Sequence, residues 1–187
     1  MKYNPEIHHR RSIRLKGYDY SQAGAYFVTV CTQNRECLFG EIVDGEMRLN
    51  EVGRIADEQW YALPQRFPQL ELDAYVVMPN HIHAIFIITV GASLAGAPDD
   101  GMVRATARVA PTVGNIIGAY KSLCVHHALA CCKHHDPGRF LGPIWQRNYW
   151  ERIIRNETEL NHIRGYIQNN PAQWELDKLH PDNPAWG

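Results

Sequence analysis

The chain has 187 residues and a formal net charge of −1, a balance that by itself argues against a strongly cationic nucleic-acid binder. No run of about 18 apolar residues occurs and the N-terminus lacks the apolar core of a secretory signal, so the expectation is a cytoplasmic protein of one domain, with no membrane partner. Five cysteines at irregular spacings do not make a disulfide framework and fit a reducing compartment. Charge is segregated along the chain: residues 39–98 carry eight acids against three Lys/Arg, and residues 101–170 carry nine Lys/Arg against four acids. A polyanion could be held by such patches, although from charge counts alone a solvated surface is the plainer reading of each.

Residues 1–20, with Arg10, Arg11 and Arg14, show no periodicity and read as a basic arm. The domain proper is expected over residues 21–173, followed by a tail at 174–187. AYFVTVCT, residues 25–32, is rich in β-branched and aromatic residues and predicts a core strand. Asp44-Gly45 between CLFGEIV and EMRL is a two-residue hairpin signal. Asn50 is placed to cap a helix in which Val52, Ile55, Ala56, Trp60 and Leu63 recur at helical spacing up to Pro64. A central hairpin follows over residues 71–78 and 81–89, with Pro79-Asn80 at its turn and Asn80 suited to a left-handed conformation. Residues 90–111 are small, polar and Gly/Pro-containing and read as a surface loop.

Thr112 can cap the next helix, whose stripe is Val113, Ile116, Ile117, Tyr120 and Leu123, with Lys121 off its centre and free to meet a ligand or solvent. HHALACCKHH, residues 126–135, would bring His127, Cys131 and His135 onto one face if the helix persists. A zinc site is geometrically possible there, but paired Cys-x-x-Cys spacing is missing and an exposed helix end is the plainer reading. IWQRNYWERII, residues 144–154, reads as a last strand in which Trp145, Tyr149 and Trp150 alternate with Arg147 and Arg152. Flat rings beside arginines suit unpaired bases and phosphates, and equally an ordinary core edge. Asn156 with Glu159 forms a capping-box pattern ahead of a helix with Leu160, Ile163 and Ile167 on its buried stripe, ending before Pro171.

The chemistry concentrates at VVMPNHIHAIF. Residues two apart on a strand share a face, so His81 and His83 project from one side of the sheet and two imidazoles can share a metal. The bland alternative is two polar residues on a half-solvated face. On the last helix Tyr166 and Asn170 are four apart and share a face. If that face lies over the histidine strand, a phenol, an amide and two imidazoles converge, a group suited to metal-assisted phosphoryl transfer. Otherwise Tyr166 anchors the helix and Asn170 caps it.

The ordered set AYFVTVCTQNRECLFG, VVMPNHIHAIF, IIGAYKS and IWQRNYWERIIRNETELNHIRGYIQNNP, over residues 12–171, resembles the REP-associated tyrosine transposases of the single-tyrosine HUH superfamily. The resemblance implies a ferredoxin-like α/β (α+β) fold, an antiparallel sheet with helices packed on its faces. It also implies a single-stranded DNA endonuclease and strand transferase in which Tyr166 attacks a phosphodiester to give a 5′-phosphotyrosine link. His81, His83 and Asn170 would be ligands of Mg²⁺ or Mn²⁺, with Gln168 and Asn169 as neighbours able to replace Asn170. Lys121, Arg147, Arg152 and the arm arginines Arg10, Arg11 and Arg14 would contact DNA bearing hairpins. The working unit would be a monomer or homodimer, associated with the nucleoid when bound to DNA. Two other readings stay open: a hairpin-binding protein of this fold without chemistry, and a zinc-dependent hydrolase, which lacks a carboxylate base beside His81-Ile82-His83.

Overall fold

The computed structural model describes residues 19–20, 22–89, 111–135 and 142–183, with side chains from 133 to 135 left out. The arginines Arg10, Arg11 and Arg14 and the 90–110 loop lie outside the described residues, as does the side chain of His135.

Among the described residues, six strands and three α-helices follow in the order β1 (Gly24–Cys31), β2 (Gly40–Val43), β3 (Glu46–Leu49), α1 (Glu51–Arg66), β4 (Leu70–Met78), β5 (His81–Ile88), α2 (Val113–His135), β6 (Trp150–Ile154) and α3 (Glu157–Asn169). A 3-10 helix, Pro171–Leu176, closes the described chain. β4, β5, β1 and β6 lie side by side in that order, every pair antiparallel. With β2 and β3 set aside as an inserted hairpin, this is the β-α-β-β-α-β order of a ferredoxin-like sheet.

Local signals explain most boundaries. Asp44 and Gly45 both have positive φ, 54° and 77°, which is the turn a two-residue hairpin with right-handed strand twist requires. The Asn50 side chain accepts from the Gly53 amide at 2.9 Å, and Asn156 accepts from Glu159 at 2.8 Å, so both helices start where a side chain satisfies an orphan N–H. Thr112 Oγ1 accepts from the Asn115 amide at 3.1 Å and does the same for α2.

The pleat sorts the core into two layers. Tyr26, Val28 and Val30 of β1 and Ile82, Ala84 and Phe86 of β5 face α1 and α2, where Trp60, Leu63, Ile116, Ile117 and Tyr120 are buried against them. The opposite face carries Ile85 and Ile154 and is covered by Ile163 and Ile167 of α3, which lies on β4 and β5. Because His81 and His83 alternate with Ile82 and Ala84, they fall on this second face, under the helix that carries Tyr166.

Four sequence expectations need correction. The last strand begins at Trp150 rather than at Ile144, because the preceding backbone has other partners. Lys121 Nζ donates to the carbonyls of Gln146 at 2.7 Å and Asn148 at 2.9 Å, and reaches that of Arg147 at 3.4 Å. For the same reason Lys121 is not free to meet a ligand. Nor does Asn80 take the left-handed conformation; its side chain has a different task, described below. Residues 174–183, expected as part of a tail, pack on the sheet end: Trp174 is buried with its ring 6.1 Å from that of His81, and the Leu179 carbonyl accepts from Asn80 Nδ2 at 2.8 Å.

Candidate metal and nucleophile site

β5 opens with His81, which has no solvent exposure, and His83, which is 3% exposed. Their Nε2 atoms lie 3.1 Å apart. The proton positions on His81 follow from its neighbours. Asn80 Nδ2 donates to the carbonyls of Arg35 (3.1 Å) and Leu179 (2.8 Å), which fixes the amide so that Oδ1 faces His81 Nδ1 at 2.8 Å. An amide oxygen can only accept, so Nδ1 of His81 carries the hydrogen and Nε2 presents a bare lone pair. Burial holds both imidazoles neutral: His81 titrates well below its ordinary range, through desolvation and then the nearby His83, and His83 is pushed down to about 3 by desolvation.

His83 Nδ1 meets the Thr29 hydroxyl at 2.8 Å, and its Nε2 meets the Tyr166 hydroxyl at 3.0 Å. Thr29 stands opposite His83 in the β1–β5 register, so the contact is built by strand pairing. α3 brings Tyr166 over it with its ring edge-on to Phe27, and an Arg164–Asp73 pair, 2.8 Å at Nε–Oδ1 and 2.5 Å at Nη2–Oδ2, ties the helix to β4 two residues earlier. Tyr166 is 41% exposed, so its hydroxyl reaches the protein's inner nitrogen from a solvent-accessible position. Its phenol titrates above its ordinary value because burial and then the Asp177 carboxylate disfavour the anion, while a hydrogen bond from Asn170 opposes them.

Asp177 completes the arrangement. A carboxylate oxygen of Asp177 and one ring nitrogen of each histidine lie within 4.8 Å of one another. The residue is held by the Leu179 amide, which donates to its Oδ1 at 2.6 Å, and by Asn183 Nδ2, which donates to its carbonyl at 3.1 Å. Asn170 is 3% exposed and its Oδ1 has no hydrogen-bond partner.

These features fit a divalent cation. Nε2 of His81 is an acceptor 3.1 Å from Nε2 of His83, a contact met by a hydrogen on His83 Nε2 or by a cation shared between the two nitrogens. A buried amide oxygen without a partner costs about 1–3 kcal/mol unless something electropositive meets it. One carboxylate and two imidazoles form a mixed N/O set able to hold a divalent cation. Among the described residues no other group of three His, Cys, Asp or Glu side chains converges in this way.

Of the residues singled out from sequence, His81, His83, Tyr166 and Asn170 are brought together. Arg152 lines the adjoining cleft and is ion-paired to Glu159 at 2.6 Å. Arg147 is exposed on the loop that Lys121 holds. Thr29, Asn80 and Asp177 were not singled out by their chemistry. Alternation along β1 could have pointed to Thr29, while Asp177 lies far along the chain in a segment with no periodic pattern.

No family model matches the chain. An uncharacterized protein of Haemophilus influenzae is 42% identical over 186 residues, covering 97% of this chain and 98% of its own. The REP-associated tyrosine transposase of Escherichia coli K12 is 23% identical over 172 residues, covering 87% and 81%. A solved REP-associated tyrosine transposase bound to a REP hairpin superposes with a TM-score of 0.56 at 23% identity, over 90% of this chain and 77% of that one, a likeness of fold.

Proposed function

Since the chain belongs to the REP-associated tyrosine transposase family, we propose that it is a metal-dependent endonuclease and strand transferase acting on single-stranded DNA beside hairpins. The observation that carries this reading is the 3.0 Å approach of the Tyr166 hydroxyl to His83 Nε2, at the edge of a neutral His pair with a carboxylate beside it.

Tyr166 is the nucleophile. Its oxygen attacks the phosphorus of a phosphodiester, the bond to the 3′ oxygen breaks, and a 5′-phosphotyrosine link and a free 3′-hydroxyl result. The phenol proton leaves to solvent and the departing 3′ oxygen gains one, so the exchange is balanced and reversible. A phenol with an ordinary pKa near 10 is about one part in a thousand ionised at pH 7, a handicap of roughly 4 kcal/mol. Burial of Tyr166 adds to it. His81, His83 and Asp177, with Asn170 beside them, would hold Mg²⁺ or Mn²⁺, which would supply charge to polarise the phosphate, an effect of several kcal/mol. Asn170 contributes its buried, unpartnered Oδ1. Thr29 and Asn80 orient the imidazoles. Arg147 and Arg152, together with Arg10, Arg11 and Arg14, would contact the DNA backbone.

The test is incubation with Mg²⁺ or Mn²⁺ and single-stranded oligonucleotides that fold into hairpins, followed by denaturing electrophoresis. The expected result is a denaturant-stable protein–DNA adduct that disappears with chelator and in Tyr166→Phe. A Phe variant that still forms the adduct refutes the assignment of the nucleophile. Hairpin binding with no adduct under either metal leaves a binding protein instead.

A further inference from the structure

α3 packs on β4 and β5, and the sheet beside it is open: Thr29, Cys31, Trp150 and Arg152 form the floor of a cleft of about 1020 Å³ that also holds His83 and Tyr166. The strand registers explain why Trp150 is there. His83 pairs with Thr29 and Thr29 with Trp150, and directly opposed residues point to the same face, so the three form one row across the sheet. Two inter-strand spacings, about 10 Å, separate the backbones of His83 and Trp150.

Trp60, Trp145 and Trp174 are buried, whereas Trp150 is 55% exposed, in the wall of the cleft that contains the nucleophile. Leu176, 82% exposed, lines the same cleft. A single exposed apolar side chain says little. Two of them flanking a cleft lined by Arg35, Lys178 and Arg152, the last ion-paired to Glu159 at 2.6 Å, and by the carboxylate of Asp177 describe a surface that offers guanidinium and ammonium groups with a flat apolar face among them. That combination matches single-stranded nucleic acid, whose backbone needs cations and whose unpaired bases need a ring to stack on. Duplex DNA offers no free base face to such a ring.

We infer that Trp150 is the seat for one unpaired nucleobase next to the phosphodiester presented to Tyr166, with Leu176 closing on the same base, and that this contact sets how the strand lies over the site. The inference rests on reading the cleft as the seat of a single DNA strand. Because every base has a stacking face, the seat is tolerant of base identity and discriminates unpaired from paired strand.

The experiment is a binding cycle in chelator at about 0.1 M salt, where no cleavage occurs. Wild type, Trp150→Ala and Trp150→Phe are titrated by fluorescence anisotropy against a labelled deoxythymidine dodecamer and against an abasic dodecamer with the same backbone. Trp150→Ala is expected to bind the deoxythymidine strand about tenfold to a hundredfold more weakly, Trp150→Phe to stay within a few-fold of wild type, and the abasic strand to bind wild type and Trp150→Ala alike. Wild-type affinity in Trp150→Ala, an equal loss on the abasic strand, or a wild type indifferent to the presence of bases each overturns the seat. The adduct assay is read separately. Adduct without base coupling at Trp150 overturns this inference alone, and base-coupled binding without adduct overturns the nuclease reading alone.

Discussion

Thr29→Val isolates one atom of the candidate site. Thr29 is buried in β1, and valine replaces its hydroxyl with a methyl of nearly the same size and is at least as well suited to a strand, so neither packing nor backbone preference should suffer. What is lost is the 2.8 Å partner of His83 Nδ1. With Nε2 turned toward a cation, Nδ1 must carry the hydrogen, and in the variant that N–H has no acceptor in a buried site. An unpartnered buried polar group costs about 1–3 kcal/mol. Loss of a residue that orients a metal-binding histidine typically weakens metal affinity about 10- to 100-fold, which is about 1.4–2.7 kcal/mol and agrees with the first figure. Isothermal titration with Mn²⁺ on chelator-stripped protein should therefore show a weakening of that size for Thr29→Val, while Thr29→Ser, which keeps the hydroxyl, stays within about threefold of wild type. Melting in the absence of metal should fall by about 2–4 °C for each kcal/mol lost. Equal Mn²⁺ affinity in wild type and Thr29→Val, or an equal loss in Thr29→Ser, would refute the orienting role.

Two further outcomes concern the frame around the site. A Cβ at Gly53 would lie 2.1 Å from the Phe39 carbonyl oxygen, whereas one at Gly118 would meet nothing within 4 Å. Gly53→Ala should lower the unfolding free energy by about 1–3 kcal/mol despite alanine's better helix propensity, and Gly118→Ala should raise it by up to about 1 kcal/mol; a reversed order would mean α1 is not seated against the Phe39 backbone. Asp73 is held below its ordinary value by its hydrogen bonds from Arg164 and then by the Ala74 amide. A depressed carboxylate stabilises the fold above its unfolded pKa, about 3.9, and that contribution disappears as pH falls through the folded value. Asp73→Asn should accordingly be less stable than wild type at pH 7, with the gap closing below about pH 4 in urea titrations; a gap independent of pH would exclude the ion pair as its source.

Much of this architecture was legible in sequence because local physics decides it. Asp44-Gly45, Asn50 and Asn156 specify turn and caps through their own side chains or φ values, and the alternation in His81-Ile82-His83-Ala84 assigns faces before any partner is known. The site was legible only where it follows such a pattern. Asp177 reaches the histidines through a segment with neither period, and nothing local marks it as a ligand. Lys121 looked free because helical periodicity reports only which stripe is buried; the carbonyls of residues 146–148 that occupy it come from a loop with no sequence signature. Trp145, Tyr149 and Trp150 look alike as a string, and only the point at which β6 begins pairing with β1 separates the core ring from the exposed one.

The Asn80 amide joins the turn after β1, the mouth of β5 and the segment that follows α3, through Arg35, His81 and Leu179. This gives the site an order in time. As the chain leaves the ribosome, β1 and the histidine hairpin can pair long before Asp177 and Leu179 exist, so the Asn80 amide waits with one acceptor missing and the imidazoles without a carboxylate. The donor set closes only after the helix bearing Tyr166 has been made and has docked. A chain interrupted before residue 177 would lack the Asp177 carboxylate and the Leu179 carbonyl, so the candidate site is incomplete until the segment after α3 has been made.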